Sequence, residues 1–225
     1  MSGVTTISDH SVRTFKRRAG RVTVTQEDAL ARLWSRFGLT VDGSALDLAS
    51  TFGRTAPVVL EIGFGMGEAT ATMAAAEPER DVLAVDVHTP GQGNLLKLIE
   101  AAELGNVRVV SGDARVLLRD MLAPSSLAAV RVFFPDPWPK ARHVKRRLVT
   151  ATFANLVADR LVDGGHLHVA TDMESYAAQV RQVLAGHSEL RIVDAAPWRA
   201  STKFERRGID AGRSPHDLAA VRLPR

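Results

Sequence analysis

The sequence predicts an α/β fold built on a doubly wound, mostly parallel sheet. Two observations carry this prediction: short runs of apolar, largely β-branched residues recur along the chain, and segments with helical character separate them. Strands that alternate with helices form parallel sheets, because a parallel connection is long enough to hold a helix. With 225 residues, of which 45% are hydrophobic, the chain is also long enough to bury a full core.

The individual elements follow from these patterns in chain order. Residues 1–25 are polar and basic with little periodicity, which predicts a flexible arm ahead of a first helix at 26–37. Seven strands are expected, at 58–62, 82–87, 107–111, 130–134, 166–170, 190–193 and 216–223. Helices are expected between them, at 68–76, 95–102, 114–121, 147–162 and 174–185. We therefore expect a single domain, residues 26–225, behind the arm.

Composition excludes several classes of protein. The chain has no cysteine, which rules out disulfides and thiolate metal sites and suits a reducing cytoplasm. No apolar run reaches the ~18 residues that a membrane span needs. Residues 1–21 also lack the apolar core of a secretory signal. We expect a cytoplasmic protein with no membrane association and no bound metal.

The charge of the chain is modest overall but unevenly distributed. The net charge is +4, whereas residues 1–25 carry +4, residues 140–147 carry +5 and residues 199–213 carry +3. The rest of the chain must then carry −8. An acidic body with three basic segments predicts a polyanionic partner at a defined face.

One motif combines a candidate reaction site with a basic segment. The apolar run at 130–134 is followed by Pro-Asp-Pro-Trp, which must end the strand because proline cannot donate to the ladder. Asp136 is therefore expected on a stiff turn at the carboxyl end of a strand, where open α/β sheets bind ligands. Five cations and no acid follow within residues 140–147. Such a run alone is typical of a solvated helix face, but behind this turn it favours a nucleic-acid contact.

A glycine-rich turn after the first predicted strand indicates a cofactor site. Gly63, Gly65 and Gly67 lie between a strand and a helix, where glycine lets the backbone approach a ligand closely. The third glycine of the dinucleotide motif G-x-G-x-x-G is replaced by Glu68, which argues against NAD. Glu61 would face a pyrophosphate unfavourably, whereas it suits a ligand with an amino group.

Two further carboxylates lie at the ends of the next two predicted strands, Asp86 within the end of one and Asp113 after the other. Asp86 is placed to accept from two ribose hydroxyls, and Asp113 to accept from an exocyclic amine. The alternative role of each acid is a helix cap or a solvated loop residue. Together with Glu61, these acids match the pattern of class I methyltransferases, whose cofactor S-adenosylmethionine carries an ammonium, a ribose diol and an adenine amine.

The chain resembles bacterial tRNA (guanine-N7-)-methyltransferases over nearly its whole length. The resemblance lies in the motifs LEIGFGMG (60–67), VHTPG (87–91), FFPDPW (133–138), the basic run 140–147, ATD (170–172) and TKFERRG (202–208). It implies a Rossmann-like sheet of seven strands with an antiparallel last strand, a tRNA partner, and a monomer or homodimer. The expected reaction is methylation of N7 of the variable-loop guanine. One departure is Ala200, where the family pattern has a proline nearby.

The resemblance also implies roles for individual residues. The cofactor would be bordered by Glu61, Gly63, Gly65, Gly67, Asp86, Asp113 and Asp136, with Asp136 as the catalytic residue. The substrate guanine would be held by Lys140, Asp172, Thr202, Lys203, Phe204 and Glu205. The tRNA would be contacted by Arg142, His143, Val144, Lys145, Arg146 and Arg147.

The chemistry of the base constrains what these residues do. Guanine N7 carries a lone pair and no proton, so its methylation needs no general base and depends mainly on alignment. Asp136 either stabilises the positive charge that develops on the ring or orients the base, and the sequence leaves both roles open. Asp172 and Glu205 are suited to accept from guanine N1–H and from its amine.

Several alternatives remain at this stage. Trp138 either stacks on a base or ribose or belongs to the core, and His166 and His168 are interpreted as structural. A methyltransferase of an exocyclic amine is the nearest alternative function, although it would not need the 202–208 motif. A catalytically silent RNA-binding module fits less well, because the glycine turn and its acids are intact. A nicotinamide oxidoreductase fits less well, because the glycines are wrongly spaced for NAD.

Overall fold

The computed structural model describes residues 14–15, 20–194 and 198–225. A single sheet runs through them, with strands β1 Gly38–Thr40, β2 Val58–Ile62, β3 Asp81–Asp86, β4 Val107–Ser111, β5 Leu127–Phe133, β6 Leu161–Thr171, β7 Leu190–Val193 and β8 His216–Arg222. Their spatial order is β1-β4-β3-β2-β5-β6-β8-β7. All neighbours pair in parallel except β8, which is antiparallel to β6 and β7.

Helices connect these strands. They are α1 Val24–Phe37, α2 Leu48–Phe52, α3 Glu68–Ala76, α4 Thr89–Ala101, α5 Ala114–Val116, α6 Ala151–Arg160, α7 Glu174–Ala185 and α8 Lys203–Asp210. A π-helical turn, Leu117–Met121, follows α5, and a 3₁₀-helix covers Ala141–Arg146. The predicted helix 114–121 is therefore two short helical segments of different pitch.

Apolar clusters lie on both faces of the sheet, as a doubly wound fold requires. Leu83 and Val85 of β3 belong to a cluster that includes residues of α6 and α7. Their strand neighbours Val82 and Ala84 belong to a second cluster with residues of α1, α3 and α4. Because successive side chains of a strand point to opposite faces, an unbroken apolar run is the pattern of a strand buried on both sides.

Capping residues explain where two predicted helices actually begin. Thr23 and Gln26 form a capping box, so α1 starts at Val24, two residues before the predicted start. The Thr150 side chain accepts from the backbone N–H of Phe153, so α6 begins at Ala151 and not at residue 147. The predicted helix 147–162 was too long at both ends.

The sheet has eight strands where seven were predicted. The additional strand is β1, a three-residue edge strand that pairs with the last three residues of β4. Its sequence, Gly-Leu-Thr, is too short to carry an alternation, and only pairing with β4 makes it a strand. The antiparallel last strand is confirmed, and it lies between β6 and β7 rather than at the sheet edge.

The predicted N-terminal arm is described only in part. Residues 1–13 and 16–19, which carry most of its basic charge, lie outside the described residues. The last two residues of the predicted arm already belong to α1. The division into an arm and one domain therefore stays a prediction. The start of α1 at Val24 moves the boundary between them two residues toward the N-terminus.

The strand order determines where a ligand can bind. The chain moves from β2 outward through β3 and β4, and then returns to form β5 on the other side of β2. Open α/β sheets bind ligands at such a reversal, outside the carboxyl ends of the strands. In this protein the relevant edge is formed by the ends of β2, β3, β4 and β5.

Candidate active site

The glycine turn connects β2 to α3 in a conformation that only glycine adopts readily. Gly63, Gly65 and Gly67 have φ angles of 79°, 62° and 83°. Helix α4 packs directly on this turn, and a Cβ atom at Gly91 would lie 1.8 Å from the carbonyl oxygen of Gly65. A Cβ atom at Gly67 would lie 2.8 Å from the Cβ of Leu95 on α4, so a side chain at Gly67 or at Gly91 would push α4 away from the turn.

Glu61 is a buried carboxylate near the end of β2. Its side chain is 3% exposed, and its Oε2 atom has no hydrogen-bond partner among the described residues. Burial raises the pKa of the Glu61 carboxyl to about 7, although the positive charge of Arg131 acts in the opposite direction. An unpartnered buried oxygen is costly, and a cationic amino group of a ligand would offset that cost.

Asp86 connects the end of β3 to the glycine turn. Its Oδ2 atom accepts from the backbone N–H of Gly65 at 2.9 Å, and its Oδ1 atom accepts from the N–H of His88 at 3.0 Å. Burial raises the pKa of this carboxyl, and the two backbone hydrogen bonds oppose the rise. The carboxylate is therefore held in one orientation at the cleft.

Asp113 is a helix cap, which was the alternative role considered for it, and it also lines the cleft. It is the N-cap of α5, where its side chain accepts from the backbone N–H of Arg115 at 2.9 Å. The Arg115 side chain forms an ion pair with the same carboxylate at 2.8 Å. Both groups fix its orientation toward the ligand side.

The structure brings the predicted cofactor residues other than Gly67 to two adjoining pockets. Asp86, Asp113 and Asp136 line the same cleft, together with Gly63 and Gly65. Glu61 lines the adjoining pocket, which shares Gly63, Gly65, His88 and Phe204 with the cleft. Thr14 and Phe15 also line the cleft, although no signal in the sequence pointed to them.

Asp136 lies on a turn held in an unusual conformation. Phe134 and Trp138, on either side of it, have φ angles of 49° and 43°, which non-glycine residues rarely adopt. The N–H of Phe134 donates to the carbonyl of Ala170 at 2.8 Å, and Arg147 Nε donates to the carbonyl of Pro137 at 3.0 Å. Strained residues of this kind cluster at functional sites and persist only where the surroundings hold them.

Trp138 belongs to the interior and does not present its ring to a ligand. It is 4% exposed, and its indole N–H donates to the carbonyl of Thr14 at 3.0 Å. The edge of the His143 ring packs against it, and the Arg146 guanidinium lies 3.8 Å from its ring centroid. Of the two roles considered for this tryptophan, the structure supports the core role.

Five of the six predicted guanine-binding residues lie on two neighbouring elements, and the sixth, Lys140, precedes the 3₁₀-helix. Asp172 follows β6, and α8 approaches it so closely that a Cβ atom at Gly208 would lie 2.9 Å from its Oδ2 atom. Arg213 forms an ion pair with Asp172 at 2.7 Å. Thr202 caps α8, and Lys203 and Phe204 are exposed beside the glycine turn.

Glu205 differs from the other predicted guanine-binding residues. Its carboxylate is buried and accepts two hydrogen bonds from Arg199, both at 2.7 Å. It also accepts from the backbone N–H of Thr202 at 3.2 Å, which completes a capping box at the start of α8. Its oxygens are thus engaged within the protein. No pattern in the sequence pointed to Arg199 as its partner.

Comparison with known proteins establishes the family. A family model described as "Putative methyltransferase" matches residues 55–218. The tRNA (guanine-N(7)-)-methyltransferase of Streptomyces avermitilis is 54% identical over 222 residues, which are 96% of this chain and 77% of the relative. The enzyme of the same name from Nitrosospira multiformis is 50% identical, over 92% of this chain and 93% of the relative. The chain belongs to the tRNA (guanine-N7-)-methyltransferase family.

The fold agrees with this membership in the tRNA (guanine-N7-)-methyltransferase family. A solved aminoglycoside resistance methyltransferase is 15% identical, with a TM-score of 0.51 over 91% of this chain and 95% of that one, which is a likeness of fold alone. The predicted class I methyltransferase fold is confirmed. Within residues 14–15, 20–194 and 198–225, no cluster of metal-ligating side chains was found, and no helix is long and apolar enough to cross a membrane.

The basic segment of this methyltransferase divides into exposed and buried cations. Lys140, Arg142 and Lys145 are exposed on or beside the 3₁₀-helix, and His143, Val144 and Arg146 are half-buried. Arg147 is 4% exposed, and its guanidinium donates to the carbonyls of Pro137 and Ser175 and to the amide oxygen of Gln179. Arg147 therefore supports the turn that carries Asp136, and its guanidinium is not exposed at the protein surface.

The raised pKa of Glu61 predicts that the free energy of unfolding depends on pH. Its carboxyl has an ordinary pKa of 4.5 and a folded pKa of about 7, so the folded state binds the proton more tightly. This group therefore stabilises the ligand-free fold below about pH 4.5 and loses that effect as pH rises through about 7. Urea unfolding between about pH 5 and 8 should show a steeper decline for the wild type than for Glu61→Gln.

The matched control for this measurement is Glu68→Gln, which changes an exposed glutamate at the start of α3, directly after the glycine turn. Its pH profile should be parallel to that of the wild type. Parallel profiles for Glu61→Gln as well would contradict the assignment of the raised pKa to Glu61.

Proposed function

We propose that this methyltransferase transfers a methyl group from S-adenosylmethionine to N7 of the variable-loop guanine of tRNA, forming 7-methylguanosine. The observation that carries the proposal is the match to relatives of that name at about half identity over nearly the whole chain. The convergence of Asp86, Asp113 and Asp136 on one cleft supports it from the side of the geometry.

The residues around the cleft fit S-adenosylmethionine. The buried, unpartnered oxygen of Glu61 suits the amino group of the methionine part. Asp86 would accept from the ribose hydroxyls and Asp113 from the adenine amine, since both carboxylates are already oriented. Gly63 and Gly65 would let the backbone approach the cofactor closely. When bound, this cofactor supplies an electrophilic methyl group on a sulfonium sulfur.

The protein would act mainly by alignment and by placing one negative charge. Guanine N7 needs no deprotonation, so no general base is required, and holding two reactants in line accounts for ~7–11 kcal/mol of a barrier in favourable cases. Asp136 would stabilise the positive charge that develops on the guanine ring, or orient the ring through its N–H edge. The strained turn around it suits either role, because it restricts the carboxylate.

The substrate would lie between α8 and the loop after β6. We propose that Lys140, Asp172, Thr202, Lys203 and Phe204 contact the target nucleotide, with Glu205 contributing to the same region. Asp172 and α8 are close enough to form one surface. The exposed cations Arg142 and Lys145 would contact tRNA phosphates, with His143, Val144 and Arg146 beside them.

Mapping the product tests the proposed function directly. Incubation of the protein with labelled S-adenosylmethionine and unmodified tRNA should yield 7-methylguanosine, and cleavage with borohydride and aniline should locate it at one variable-loop guanine. Inosine at that position should react more slowly, because it lacks the amine. Methylation of adenine, or of a guanine amine, would instead favour the exocyclic-amine alternative.

The catalytic role of Asp136 has a separate test. We expect Asp136→Asn to lower the single-turnover rate by ~10²-fold, the usual effect of removing one preorganised electrostatic group. The fold should survive, as judged by circular dichroism. Asp163→Asn, which changes an exposed aspartate near the start of β6, is the control and should keep the wild-type rate. An Asp136 variant that retained the wild-type rate would contradict the assignment of Asp136 as the catalytic residue.

The two kinds of cation in the basic segment should behave differently. Neutralising Arg142 and Lys145 should weaken tRNA binding and reduce the slope of log K against log salt by ~0.7–0.9 per lost phosphate contact. Arg147→Ala should instead lower the free energy of unfolding by ~2–4 kcal/mol, because it leaves buried acceptors without a donor. Filter binding over a salt series and urea unfolding distinguish these effects. Equal stability losses in both variants would contradict the division.

A further inference from the structure

A single buried arginine connects the start of α8 to the last strand of the sheet. The Arg199 side chain is 8% exposed. Its guanidinium donates to both oxygens of Glu205, each at 2.7 Å, and to both oxygens of Asp217 on β8, at 2.6 and 2.9 Å. Paired bidentate contacts of this kind fix both distance and orientation, because the guanidinium is planar and its donors form a rigid fork.

The same cluster reaches the strand that leads to Asp136. The Nε2–H group of the buried His168 also donates to Asp217 at 2.7 Å, and the His168 and Phe133 rings pack in a T-shaped arrangement with centroids 5.0 Å apart. The Arg199 guanidinium lies 5.6 Å from the Phe133 ring centroid and 5.4 Å from that of Phe134. Arg199 therefore contacts the end of β5 as well as α8.

The charges of the cluster are consistent with a permanent structure. The hydrogen bond from Arg199 lowers the pKa of Glu205. Burial would raise the pKa of Asp217, but hydrogen bonds from His168 and Arg199 lower it well below its ordinary value. Both carboxylates thus remain ionised around one guanidinium over the ordinary pH range.

We propose that Arg199 is a positioning residue for methyl transfer, acting through Glu205 on the start of α8. It holds the Thr202 cap and the exposed residues after it at a fixed distance from the turn that carries Asp136. In this arrangement Glu205 is also a positioning residue, since its carboxylate is committed to Arg199 and to the Thr202 N–H. The inference rests on the proposed function. It changes the role of Glu205 from contacting the guanine edge to holding the start of α8, whose exposed residues contact the base.

Two variants and one matched control test the proposal. Arg199→Lys keeps the positive charge but loses the fork, and Glu205→Gln keeps the shape but loses the ion pair. The control is Arg222→Lys. Arg222, like Arg199, is a buried arginine, but it lies at the last position of β8, where it donates to the carbonyl of Ala158 and to Glu189. Wild type and variants are compared for the single-turnover rate, for the rate ratio between guanosine and inosine at the target position, and for affinity for S-adenosylhomocysteine.

Positioning and direct reading of the base predict different ratios. We expect Arg199→Lys and Glu205→Gln to slow methyl transfer by at least ~10-fold, while the guanosine-to-inosine ratio and the affinity for S-adenosylhomocysteine change by less than ~3-fold. Arg222→Lys should stay within ~2-fold of the wild-type rate. A collapse of the guanosine preference in Glu205→Gln would overturn the proposal, because Glu205 would then read the base itself. A wild-type rate in Arg199→Lys would overturn it equally.

Hydrogen exchange gives a readout that does not depend on the reaction. The amides of Glu205 and Arg206 donate to the side chain and carbonyl of Thr202, so they report directly on the cap of α8. Their protection should fall in Arg199→Lys and remain in Arg222→Lys. Unchanged protection in Arg199→Lys would refute the positioning role. If the wild type methylated no guanine while this difference persisted, the proposed function would fail and the structural part of the inference would stand.

Discussion

The parallel pairing of the central strands is the constraint on which the site depends. Parallel strands end at the same edge of a sheet, so acids at the ends of β2, β3, β4 and β5 must meet there. Like charges that converge in a partly buried cleft repel one another and lose solvation. Loss of solvation raises the pKa of the Glu61 and Asp86 carboxyls, and repulsion from Asp86 adds a smaller rise at Glu61. A positively charged ligand with several donors is the partner that such a cleft stabilises best.

Hydrogen bonds and ion pairs within the protein satisfy most acids of the site, but one carboxylate keeps an oxygen without a partner among the described residues. Backbone N–H groups hold Asp86, and arginines hold Asp113, Asp172 and Glu205. Glu61 keeps one buried oxygen without a partner in the part of the chain that the structure describes. A satisfied acid supports the geometry of the site, whereas an unsatisfied buried one is suited to a ligand. The partners of Asp86, Asp113 and Asp172 fix the orientation of these carboxylates before a ligand binds, whereas Glu61 still has a buried oxygen that a ligand donor can satisfy.

Much of the fold and of the cofactor site could be predicted from local sequence. The strands 58–62, 107–111 and 190–193 were found at their predicted bounds. Strand β2 is fully buried, which is the pattern that gives the clearest signal, whereas β7 is a short and largely exposed edge strand. The acids after β2, β3 and β4 were found at one edge because strand ends alone place them there. Elements with weak local signals were missed, namely β1, α2 and α8. Helix α8 was not predicted, because it is short and strongly charged and its capping box lies inside a motif interpreted as a substrate contact.

The sequence by itself determined the class of fold, the edge of the sheet that carries the site and the identity of the acids there, since each of these follows from residues close together in the chain. Only the tertiary structure decided which charged and aromatic groups remain available. Arg147 is bound by Ser175 and Gln179, Glu205 shares Arg199 with Asp217, and the indole of Trp138 is bound by Thr14. Most of these partners are distant in the chain, and local patterns carry no information about burial or long-range pairing, because the folded arrangement of the whole sheet creates both.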